Sequence, residues 1–96
     1  MAQVAESRTY AGKSPDDCFA AAKTALSKTG FEIWKTRQIG WLVMANRKGR
    51  GGTVSANCTS RHGAAVTLTL SGEGAQEADL RAIAEQVLAV LATELG

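Results

Sequence analysis

The side chains best suited to chemistry are few and scattered along this chain. Cys18 and Cys58 stand forty positions apart inside apolar patterns and lack the C-x-x-C spacing of a metal or redox site. Both read as buried thiols. His62 is the single histidine, and beside Gly63 it reads as a surface turn residue rather than a general base. Alternation with polar neighbours points Cys58 into the core, away from His62, and no Asp or Glu lies in the same strand block to complete a triad. One histidine, two separated cysteines and no clustered carboxylates do not make a four-ligand metal site. The residues predict no enzyme, no metal and no cofactor.

Binding chemistry is better represented. Between Ile33 and Gly72 the chain carries Lys35, Arg37, Arg47, Lys48, Arg50 and Arg61 but not one acidic residue, although its net charge is only +2. All nine acids lie outside this window, so the two signs of charge are expected on different faces. These six cations are the candidate anion-binding residues. Arg47-Lys48-Gly49-Arg50-Gly51-Gly52 could hold an anion through its backbone N–H groups, but a strand follows it where a phosphate loop has a helix N-terminus, and no G-K-[ST] is present. A β-turn is the expected structure there.

The elements that must position these residues follow from periodicity. Gln3 to Tyr10 suits a short strand, with an edge position expected. Ser14-Pro15-Asp16-Asp17 is a helix start, with a capping serine, a first-turn proline and two carboxylates at the positive end of the dipole. Cys18, Phe19, Ala22, Ala25 and Leu26 form the helix's apolar side, and Gly30 ends it as a left-handed cap. Asp16, Asp17, Lys23 and Lys28 read as solvated. Phe31 to Arg37 and Trp41 to Lys48 are strands joined through Gln38-Ile39-Gly40. Strict alternation then marks two more strands, with Val54, Ala56 and Cys58 on the dry side of one and Val66, Leu68 and Leu70 on that of the other. Gly72-Glu73-Gly74 breaks the sheet. From Gln76 a helical pattern sets Leu80, Ile83, Ala84, Val87, Val90, Leu91 and Leu95 on one side.

The expected fold is therefore a single α+β domain over residues 1–96, a two-layer structure with a curved antiparallel five-stranded sheet and two helices on one face, ordered β-α-β-β-β-β-α. This order resembles one repeat of the TATA-binding-protein fold, and is similar to a shortened helix-grip arrangement. The likeness is topological and carries over no functional residue. Gly30 to Ala45 is also similar to a glycine–aromatic, strand, loop, glycine, strand pattern of small bacterial domains with no assigned activity. No apolar run approaches the roughly 20 residues that span a bilayer, and the first twenty residues lack a signal pattern, so a cytoplasmic location without a membrane is expected.

The strands on either side of Gln38-Ile39-Gly40 place large apolar residues on both faces, which makes the hairpin register decisive. A three-residue loop sets Trp34 opposite Met44 and beside Leu42, with Ile33, Trp41 and Val43 on the other side. A four-residue loop slips the register, so Phe31, Ile33, Leu42 and Met44 share the core while Trp34, Trp41 and Val43 share the opposite face. Trp34, Trp41, Leu42 and Met44 are the candidate interface residues either way, amid the hydroxyls of Ser55, Thr59, Thr67 and Thr69. The expected role is protein–protein contact through this sheet face, above all with a second copy. The alternative is nucleic acid or another polyanion, with Trp34 stacking and the six cations on phosphates. A small apolar ligand between sheet and second helix is the third reading, though Phe19, Leu68, Ile83 and Val87 leave it little room.

Overall fold

Ser14 begins the first helix in the way its chemistry requires. The computed structural model of the chain describes residues 2–49, 52–61, 65–72 and 74–96, so the turn readings for Arg50, His62, Gly63 and Glu73 lie outside the described residues. Ser14 Oγ accepts from the Asp17 N–H at 3.1 Å while Asp17 Oδ2 accepts from the Ser14 N–H at 3.1 Å, a complete capping box. These bonds, the one from the Ser14 backbone foremost, hold the Asp17 carboxyl below the usual carboxylate range.

In chain order the elements are β1 (Ala2–Thr9), α1 (Pro15–Lys28), β2 (Glu32–Arg37), β3 (Leu42–Gly49), β4 (Gly52–Arg61), β5 (Ala65–Gly72) and α2 (Glu77–Leu95). All five strands form one open antiparallel sheet in the order β1-β5-β4-β3-β2, which is the α+β arrangement the periodicity predicts. Gly30, at φ +89°, lets the chain leave α1: the Phe31 N–H reaches back to the Leu26 carbonyl at 2.9 Å and the Gly30 N–H to that of Ser27 at 3.2 Å. That turn delivers Phe31, 4% exposed, into the core at the mouth of β2.

One sheet face is dry. Val4, Val43, Ala45, Val54, Ala56, Cys58, Val66, Leu68 and Leu70 are all buried on it. Both helices cover this face, α1 over β2, β3 and β4 and α2 over β1 and β5. From α1 come Cys18, Phe19, Ala22, Ala25 and Leu26, and from α2 come Leu80, Ala84, Val87, Leu88 and Leu91. Leu88 is an addition to the apolar side read from the sequence, while Ile83, Val90 and Leu95 pack at the margin. Both cysteines are buried free thiols. Among the described residues, no helix is long and apolar enough to cross a membrane.

Candidate binding face

The hairpin resolves into neither simple register. Arg37 pairs with Leu42, so the loop is four residues long, Gln38 to Trp41, and Thr36 and Lys35 pair with Val43 and Met44. Past the irregularity at Trp34, however, Ile33 pairs with Ala45 and Glu32 with Asn46. One extra residue in the turn is thus offset by one in a bulge. Beyond the bulge the pairing returns to that of a three-residue loop. Val43 and Ala45, both 0% exposed, face the helices with Ile33, whereas Leu42 and Met44 belong to the opposite face; the four-residue expectation that put Leu42 and Met44 in the core is corrected. Lys35 stands opposite Met44, while Trp34 is the unpaired residue of the bulge in this edge strand and is 56% exposed.

Cross-strand pairing fixes the composition of this open face. One row runs Arg37, Leu42, Thr59, Thr67, Ser7; the next runs Lys35, Met44, Asn57, Thr69, Ala5; a third runs Glu32, Asn46, Ser55, Ser71, Gln3. Rows repeat every two residues, about 7 Å along the strands. Lys48, opposite Thr53, extends the face at one end, and Arg61, opposite Ala65, extends it at the other. The floor is hydroxyl and amide, with Ser7 Oγ and Thr67 Oγ1 3.1 Å apart across β1 and β5. Leu42 and Met44 are half-buried, and among the described residues the large apolar side chains that stand exposed are Trp34 in the bulge and Ile39 in the hairpin turn.

The ion pairs of the described residues lie elsewhere. Glu6 pairs with Arg81 at 2.6 Å and Arg8 at 3.4 Å, Arg81 also with Glu77 at 2.9 Å, and Lys28 with Glu94 at 3.0 Å. Among the described residues, Lys35, Arg37, Lys48 and Arg61 have no carboxylate partner and Glu32 is the single acid in the cross-strand rows of their face. Arg47 is different. It shares the parity of Val43 and Ala45, turns to the helix side, donates to the Thr29 carbonyl at 2.8 Å and lies 5.4 Å from the Phe31 ring centre. A Cβ on Gly30 would come 3.4 Å from its Cδ. The structure therefore places Arg47 as a tie between β3 and the end of α1, away from the other cations, and the alternation from Val43 was the signal that could have found it. Arg50 lies outside the described residues.

Trp41 also leaves the face. It sits in the turn rather than in β3, at φ +48°, a left-handed conformation that costs a bulky residue about 1–2 kcal/mol. Its Nε1 donates to Asp16 Oδ1 at 2.9 Å, and Gln38 Nε2 donates to the same oxygen at 3.0 Å. Asp16, read as merely solvated, is the acceptor that fastens the hairpin to the start of α1. The Trp41 backbone is held from both sides, its N–H to Gln38 O at 3.0 Å and its carbonyl by the Ser60 N–H at 3.3 Å.

Beside this turn, Gly40, Trp41, Thr59, Ser60 and Arg61 line an open groove of about 510 Å³. Ser60 is 2% exposed, and its Oγ has no hydrogen-bond partner among the described residues. An unpaired buried hydroxyl is a cost, so Ser60→Ala should raise stability by about 1 kcal/mol, read as a higher urea midpoint at unchanged slope.

Comparison with protein-family models gave no match, and comparison with curated proteins gave none. What the geometry itself defines is a class: a two-layer α+β domain with one sheet face closed by helices and the other left open, polar and cationic.

Proposed function

We propose that this is a non-enzymatic binding domain that holds a single-stranded nucleic acid across the open face of its sheet. The observation that carries the reading is the set of Lys35, Arg37, Lys48 and Arg61, which share a hydroxyl-lined face next to the exposed Trp34 of the bulge and have no carboxylate partner among the described residues. Cations left unneutralised along the strand direction suit an extended chain of phosphates. An exposed indole on an edge strand offers a base a stacking surface without sequence demand, and the Thr, Ser and Asn floor can donate to sugar and phosphate oxygens. A second copy pressed face to face on the same surface would set these like charges against each other, which disfavours self-association through this face.

Binding of a fluorescent oligothymidylate, followed by anisotropy across a salt series, tests this. Four phosphate contacts at about 0.7 each give a slope of log K on log salt near −3 for a single strand. Trp34→Ala should weaken binding by roughly 5- to 150-fold, the range set by one stacked base. Lys35→Ala/Arg37→Ala/Lys48→Ala should flatten the slope to about −1. Arg47→Ala is the contrasting variant: it loses stability through its tie to Thr29 and Phe31 but keeps the slope. Absent or salt-independent binding refutes the reading, and a dimer dissolved by Trp34→Ala at any salt would establish a protein interface here instead.

A further inference from the structure

The two edges of the sheet are built differently. β2 is six residues long, carries the bulge at Trp34 and sets Glu32, Lys35 and Arg37 along itself, which are the devices that keep an edge from pairing. β1 has no bulge and no lysine, and its charges, Glu6 and Arg8, both belong to the helix side. It runs eight residues in unbroken register with β5, and its open-face residues Gln3, Ala5, Ser7 and Thr9 are small or uncharged. Its outer side presents backbone N–H and C=O groups to whatever can pair with them.

We infer that β1 is a homodimer edge, with the β1 strands of two copies pairing antiparallel about a twofold axis at Ser7. Charge selects the occupant and the register. With Ser7 opposite Ser7 of the second copy, Glu6 stands opposite the second copy's Arg8 and Arg8 opposite its Glu6, two complementary pairs from one symmetric contact. Centring on Glu6 or on Arg8 would instead oppose like charges. A central Ser7 also keeps the pleats in phase, so the helices of both copies lie on the same side.

The helix layer accommodates this junction. α2 lies over β1 and β5, and a groove of about 300 Å³ between it and β1 is lined by Arg8, Tyr10, Glu85, Leu88, Ala89 and Ala92. With α2 spanning β1 and β5, strands paired about 4.8 Å apart set the two α2 helices side by side, where exposed Ala89 and Ala92 permit close approach. The product is one ten-stranded sheet whose open faces run on continuously. This inference is independent of what that face binds.

Sedimentation velocity of the full chain should show twice the 10.0 kDa mass. Ser7→Lys, at an exposed position, sets two ammonium groups opposite each other and should raise the dimer dissociation constant at least about tenfold while circular dichroism stays native. Ala89→Glu should act likewise from the helix side. Ser7→Cys should oxidise to a covalent dimer, whereas the native chain, with Cys18 and Cys58 buried, should not. A native chain that remains monomeric, or a dimer that survives Ser7→Lys and is not trapped by Ser7→Cys, overturns the inference.

Discussion

Leu68→Ala is expected to remove about 3–5 kcal/mol of stability, which for a domain of this size is a third or more of the total. Leu68 is 0% exposed at the middle of β5 and is paired on one side with Cys58 and on the other with Glu6. Leu80, Ala84 and Val87 of α2 close the core above the sheet. Truncation takes away the transfer free energy of the leucine and leaves a cavity that neighbouring strands, held in register on both sides, cannot collapse into. Equilibrium urea unfolding reads the effect as a lower midpoint at unchanged slope. Ile39→Ala gives the scale: Ile39 is 83% exposed in the hairpin turn and should stay within about 0.5 kcal/mol of the native chain. A loss at Leu68 no larger than that at Ile39 would contradict the assigned core. Because Thr67 and Thr69 flank Leu68 and point to the open face, the same variant should also lose oligonucleotide binding in step with unfolding.

What the sequence made legible was local. The capping serine Ser14, the left-handed Gly30 and the alternation from Val54 to Cys58 and from Val66 to Leu70 each depend on residues within a few positions of one another, and each stands in the structure as read, with the reciprocal bond from the Ser14 N–H to Asp17 an addition. The hairpin register was not legible, because a turn and a bulge each add one residue and their effects cancel beyond Trp34. Large apolar side chains on both faces of β2 and β3 removed the pattern that usually decides such cases. The bond from Trp41 to Asp16 joins residues 25 positions apart, and no spacing rule announces it. Of the candidate site, the basic window was visible as a missing sign of charge, whereas its division waited on the register: once Val43 faces the core, alternation sends Arg47 to the helix layer with it, and pairing sets Lys35, Arg37, Lys48 and Arg61 on the open face.

The largest pH effect should come from Cys58. It is 2% exposed, between Val43 and Leu68 in the sheet, and burial, with a smaller contribution from Cys18, pushes its thiol up to about 12 from an ordinary value of 9.0. Below about pH 9 the thiol is protonated in both folded and unfolded chains and contributes no pH dependence. Above that, the unfolded chain releases a proton that the native chain retains, so stability falls by about 1.4 kcal/mol per pH unit and the loss approaches 4 kcal/mol at the folded value. Burial raises the Cys18 thiol and the Tyr10 hydroxyl as well, and their slopes add in the same direction. Cys58→Ala isolates the dominant group. Between about pH 8 and pH 10.5 the native chain should lose roughly 2 kcal/mol more than this variant, measured as the difference in urea midpoints at a common slope. Parallel losses in the two proteins would mean that Cys58 ionises as readily in the native state as in the unfolded one, and that the sheet beneath the binding face admits water. A thiol reagent gives the independent check: at about pH 8 neither cysteine should react until the domain opens, since the thiolate is the reactive form and both sulfurs are enclosed.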